Sequence, residues 1–172
     1  MKYLYLVIAL LLLTGCADRQ KLIRLKTTSI KIDTSKGIYI SIPKDGSYGK
    51  NNYQGSGQML ANEIIIAFSK HSINVQSGHM YQSFDEAIQY AKNNNFTYLI
   101  YPQILHWEDR ATEWSGIPDK VTVKIDIIET KHNKTLDSVT IKGTSGWATL
   151  GGDHPQDLLE KPIREFADSL YL

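Results

Sequence analysis

The side chains best equipped for chemistry crowd into two stretches of this 172-residue chain. From His106 to Asp119, two tryptophans, Trp107 and Trp114, stand among Glu108, Asp109, Glu113 and Asp119, with His106 and Arg110 beside them. Trp and Arg join a large burial area to a polar handle, which is why they anchor protein interfaces so often. One reading is therefore a contact surface formed by Trp107, Glu108, Asp109, Arg110, Glu113 and Trp114. In the other, the tryptophans fold back over a sheet edge while Arg110 pairs with Glu108, Asp109 or Glu113. The second stretch, Trp147 to Pro155, contains paired glycines that permit a sharp reversal, followed by Asp153 and His154. Asp153 is placed to cap the turn that follows. Trp147, Asp153 and His154 also extend the candidate contact surface.

Catalytic chemistry finds less support. Gly55-Ser56-Gly57 precedes a helical pattern, but it lacks the lysine and the glycine spacing of a phosphate-binding loop, and it is not the Gly-x-Ser-x-Gly of a nucleophile elbow. Ser56 reads as an early cap or loop residue. No two histidines sit one helical turn apart, so no metal site is expected. No acid/base carboxylate pair and no Ser/His/Asp order stands out. The expectation is a binding module without catalytic residues or cofactor. A rival reading, a small-ligand or metal-dependent enzyme, would use His106, Glu108, Asp153 and His154, and it requires those four to converge in one pocket. A third reading is a structural protein of the cell envelope.

The lone cysteine, Cys16, has a different chemistry. Lys2 precedes an apolar run from Leu4 to Leu13, too short to cross a bilayer, which takes roughly 20 apolar residues. Leu13-Thr14-Gly15-Cys16 then resembles the lipobox of bacterial lipoproteins, whose thiol takes a diacylglyceryl group before cleavage between Gly15 and Cys16. The resemblance implies a signal peptide over 1–15, fatty acyl chains such as palmitate on Cys16, and lasting membrane attachment. Ala17 follows the cysteine where Asp would signal retention in the inner membrane. The expected place is thus the outer membrane, on its periplasmic face.

Loss of residues 1–15 removes Lys2 from the 19 Lys and Arg, leaving 18 against 18 Asp and Glu. A neutral protein lacks the concentrated positive face that nucleic acid requires. Expected partners are the membrane, through Cys16, and an envelope protein.

These groups must be positioned by one small domain. Residues 16–36, with six basic and two acidic side chains, read as lipidated cysteine and flexible tether, with Ile30 and Ile32 able to add an edge strand. The globular part spans 37–172. Ile38, Ile40 and Ile42 alternate as a strand. Residues 58–71 form a largely buried helix, and Ile73 to Gln76 a short strand. Ser83 and Glu86 make a capping box ahead of a helical stripe. Thr97 to Leu105 is a strand in which Pro102 marks an edge or bulge. Val121 to Ile127 and Leu136 to Gly143 form a hairpin. Pro162 suits the start of a last helix better than its interior. The reading is an α+β fold, a mixed sheet of order β-α-β-α-β-β-β-α with helices packed on it. That order resembles the amino-terminal domain of the periplasmic protein TolB and the lipoprotein activators of penicillin-binding proteins.

The string from His106 through Gly116, with Pro118-Asp119, Trp147-Ala148, Gly151 through Leu159 and the closing Leu170-Tyr171, resembles the proteobacterial lipoproteins grouped as domain of unknown function 4823. The resemblance covers roughly residues 37–171. It implies an envelope lipoprotein with this domain and names no reaction or ligand.

Overall fold

Tyr39 and Ser41 are as buried as the isoleucines on either side of them, so the strand β2 (Ile38–Ile42) is covered on both faces. Its inward and outward residues belong to two separate cores. Ile38, Ile40 and Ile42 meet Leu60, Ile64 and Phe68 of α1 (Ser56–Ser69) and Ile163 and Phe166 of α3 (Asp157–Ser169). Tyr39 meets Ala87, Ile88 and Ala91 of α2 (Phe84–Asn93), with Phe96 and Leu99. The computed structural model describes residues 18–25, 30–110, 117–146 and 154–171. The expected signal peptide, Gly15, Cys16, Glu113, Trp114, Trp147 and Asp153 lie outside the described residues.

The other strands are β1 (Arg19–Arg24), a two-residue pair β3 (Ser47–Tyr48) and β4 (Asn51–Asn52), β5 (Val75–Tyr81), β6 (Tyr98–Glu108), β7 (Lys120–Glu129) and β8 (Lys134–Thr144). The main sheet has the order β1-β8-β7-β6-β2-β5. β2 runs parallel to β5 and β6, and the remaining pairs are antiparallel. From Ile38 the long elements follow one another as β-α-β-α-β-β-β-α, with β1 ahead of them and the β3–β4 hairpin inserted after β2.

The segment read as a flexible tether is partly structured. β1 pairs with β8 from Arg19 opposite Thr144 to Arg24 opposite Val139, and Ile32 is buried with its N–H on the Leu170 carbonyl at 2.9 Å. Without β1, the long edge of β8 would expose a row of unpaired backbone groups. A polar lock holds it: Arg24 Nε donates at 2.7 Å to the fully buried Asp137 carboxylate, and Arg24 Nη1 donates to Ser169 at 3.3 Å. The charge-rich sequence of 19–24 disguised a strand that needs little apolar burial because it covers an edge.

Two further corrections concern boundaries. Pro162 lies inside α3 rather than at its start, because the helix begins five residues earlier, where Leu158 and Leu159 have a core to bury into. Asp157 anchors that start by taking the His154 N–H at 2.9 Å. Ile73 is 98% exposed and precedes the strand, which starts at Val75.

The capping box of α2 forms as its residue types dictate: the Ser83 hydroxyl accepts the Glu86 N–H, and the Glu86 carboxylate accepts the Ser83 N–H at 2.8 Å. Ser83→Ala should cost about 1 kcal/mol, read as a lower unfolding midpoint in urea with an unchanged slope.

Candidate functional site

β6 outruns its neighbour. It pairs with β2 only from Tyr98 to Ile100, so beyond that point β7 is its one sheet partner, and Pro102 falls in this half-paired stretch. A register shift between Ile104 and His106 then re-aims the end of the strand. Trp107 turns into the core and is 1% exposed. Gly46 makes room for it, since a Cβ there would collide with the Trp107 Cβ.

Around the strand end the charges pair off. Glu108, only 2% exposed, accepts the Arg110 Nε–H at 2.5 Å and also pairs with a terminal guanidinium nitrogen of Arg110. His106 Nε2 lies 3.2 Å from the other Glu108 oxygen. The Arg110 guanidinium sits 5.7 Å from the ring centre of Tyr48, and the Tyr48 and His106 rings meet edge to face at 5.1 Å. Arg110 is thereby held over an aromatic ring by a buried carboxylate.

A second pair lies next to the first. Asp109 Oδ2 is 3.4 Å from His154 Nδ1, and the Tyr53 hydroxyl donates to the Asp109 carbonyl at 3.3 Å. Tyr53, Met59, Trp107, Asp109 and His154 line a cleft of ≈ 230 Å³, below the roughly 300 Å³ at which ligand pockets begin. Asp119 ties the flanks together: it accepts the Arg110 N–H at 2.6 Å, its own N–H goes to the Ser145 hydroxyl at 2.8 Å, and Ser145 N–H returns to its carbonyl at 3.0 Å.

The amino end of α1 is occupied by the protein itself. The Asp45 carboxylate accepts the N–H groups of Gly55 at 3.1 Å and Gly57 at 2.8 Å, taking the place an anion would fill. Ser56 closes the same loop, accepting from Gly46 and donating to the Tyr53 carbonyl.

The structure brings Glu108, Arg110 and His106 together, and Asp109 with His154. It removes Trp107 and Glu108 from the contact surface: both are buried, one filling the core and the other spent on Arg110. His106 and His154 are held by different carboxylates in separate pairs. Among the described residues no group of three or more His, Cys, Asp or Glu is placed to hold a metal. Sequence reasoning missed Tyr48, Tyr53 and the bridging role of Asp119. The tyrosines sit in a glycine-rich polar stretch some sixty residues upstream, and no local pattern links them to Arg110.

Burial works to raise the Glu108 carboxyl, but Arg110 and His106 outweigh it and hold it below its ordinary value. Burial raises Asp119, against the pull of the Arg110 N–H. The Glu108 pKa is lower folded than unfolded, so its contribution to stability is complete above the unfolded value and disappears as pH falls through the folded one. The stability gap between wild type and Glu108→Gln should therefore be wide at neutral pH and close on acidification through the carboxylate range. Thermal unfolding at a series of pH values reads it, and a constant gap would show that the Glu108 charge is not what Arg110 holds.

A family model described as Domain of unknown function (DUF4823) matches residues 30–170. No curated protein matches the chain. Among solved structures, the PelC dodecamer from Paraburkholderia phytofirmans is 10% identical with a TM-score of 0.64, covering 88% of this chain and 97% of that one. Lipoprotein GNA1162 from Neisseria meningitidis is 12% identical with a TM-score of 0.48, covering 77% of this chain and 99% of that one. At such identities the PelC likeness shows a shared mixed α+β fold and nothing finer.

Proposed function

We propose, starting from the fact that this chain belongs to the DUF4823 family, that it is a non-catalytic adaptor of the cell envelope. In this reading lipid on Cys16 holds it to the periplasmic face of the outer membrane. It meets another envelope component, foremost a protein, at the end of the sheet built around Arg110.

The observation that carries the reading is how the charges there are used. Glu108 is spent on Arg110 and His106 and Asp119 on the Arg110 backbone, while Asp109 lies 3.4 Å from His154 through one oxygen and keeps the other buried without a hydrogen bond. A catalytic constellation keeps an acid, base or nucleophile facing a substrate-sized space; here the pairs stiffen one another. The product is an arginine fixed on a tyrosine at the surface, with Tyr48 42% exposed, and a fixed Arg–Tyr pair loses little side-chain freedom when a partner covers it.

Affinity purification from intact envelopes tests this. Wild type should bring down a partner that Arg110→Ala joined to Glu108→Gln, which strands no buried charge, loses while remaining folded and membrane-bound, and Cys16→Ala should lose partner and membrane together. Equal recovery with all three would leave only a structural role.

A second reading, in which the partner is further copies of the same chain, draws support from the dodecamer in which the PelC fold occurs. Sedimentation of the purified protein separates the two. A multiple of the protomer mass supports self-assembly, and the protomer mass alone supports the adaptor.

A further inference from the structure

The stretch of chain that would carry the lipid enters the fold beside the Arg110 cluster. Asp18, two residues after Cys16, accepts the Gly146 N–H at 2.9 Å. The neighbouring Ser145 is hydrogen-bonded to Asp119, and Asp119 to Arg110, so a continuous chain of bonds runs from Asp18 to Glu108. The strand register agrees: Arg19 lies opposite Thr144, Thr144 opposite Lys120, and Lys120 opposite Glu108, one row across four strands. Two peptide units separate Cys16 from Asp18, a reach of about 7 Å at full extension.

We infer that this pole of the sheet rests on the head-group surface of the bilayer, with Tyr48, Arg110 and Ile117 against it and the β7–β8 turn facing away. The inference rests on the reading that Cys16 carries lipid and names the envelope component that the Arg110 surface meets first.

Three features fit that occupant. An anchor joined by so short a leader cannot let the domain stand off the membrane, as the whole of 16–36 would have done if it were free. The exposed groups suit an interface, for Tyr48 and Ile117 are 42% and 47% exposed, and tyrosine and arginine place an apolar body and a polar tip across a head-group layer. Among the described residues, the acids here are engaged as well: Asp18, Glu108 and Asp119 accept from protein groups and Asp109 lies against His154, which reduces the negative charge offered to anionic lipid. β8 has 11 residues, which at about 3.3 Å each puts the far turn some 35 Å away. A protein partner that uses Arg110 would then be one that itself lies at the membrane surface.

Amide hydrogen exchange distinguishes the poles. Acylated protein in vesicles of phosphatidylethanolamine and phosphatidylglycerol is compared with Cys16→Ser beside the same vesicles. Exchange should slow several-fold over 47–50 and 117–120 and stay unchanged over 130–134. Equal rates at both poles, or slowing confined to 130–134, would overturn the inference. If wild type fails to float with the vesicles, the lipid reading is wrong. The free Cys16 thiol is then coupled to maleimide-bearing phosphatidylethanolamine, and the same two regions test the pole by itself.

Discussion

Arg24→Ala should lower stability by about 3–5 kcal/mol, the cost of leaving a buried charge without its partner. At the size of this domain that is a fall in unfolding temperature on the order of 10 °C. Asp137 is fully buried, and the two groups given to its carboxylate are the Arg24 guanidinium and the Ser138 N–H at 2.8 Å. Arg24 also lies 5.6 Å from the ring centre of Phe166 in α3, so it joins β1 to helix and sheet at once. Replacing both partners by apolar residues, Arg24→Met with Asp137→Leu, should restore much of the loss, because no charge is then stranded. If Arg24→Ala alone unfolds like wild type, β1 is not locked as described. Because β1 connects the Cys16 region to the domain, its loosening should also lengthen the leash and weaken any contact that needs the domain close to the membrane.

Trp107→Ala should cost a similar amount, about 3–5 kcal/mol, through lost burial and the cavity left behind. Trp107 is among the largest fully buried side chains, and Gly46, which leaves room for it, is tied by its N–H to the Ser56 hydroxyl at 2.8 Å. Urea unfolding gives the number, and intrinsic fluorescence gives a second check through loss of the buried indole signal. The converse substitution, Gly46→Ala, should destabilise through overpacking at the same place. A loss of under 1 kcal/mol for Trp107→Ala would mean that the tryptophan is not filling the core. These two results govern how any contact measurement is interpreted: a Trp107 variant reports on folding, and Arg110→Ala alone strands the buried Glu108, so the surface is read with Arg110→Ala joined to Glu108→Gln, which leaves no buried charge unpaired.

The elements with a periodic apolar pattern could be read directly from the chain. Ile38 to Ile42, the α1 stripe, the Ser83–Glu86 box and the β7–β8 hairpin each carry their information within a dozen residues. β1 could not be read this way, since its reason for being a strand is the bare edge of β8 more than a hundred residues later. Pro162 misled for a related reason. A local penalty marked it as a helix start, while Leu158 and Leu159 gain more by entering the helix and reaching the core.

The site was half visible. Arg110 with Glu108 is a neighbour relation, and it was among the pairings the residue types allowed. That Trp107 faces inward while His106 faces Tyr48 depends on the bulge between Ile104 and His106, which no residue type announces. The bond chain from Asp18 through Ser145 and Asp119 joins three distant segments, so it exists only in the folded molecule.

Acylation at position 16 is what would hold this domain to its membrane. Intact-mass spectrometry of the protein extracted from membranes with detergent should show residues 1–15 removed and fatty acyl mass on Cys16. A mass matching the complete 172-residue chain without acyl groups would contradict it.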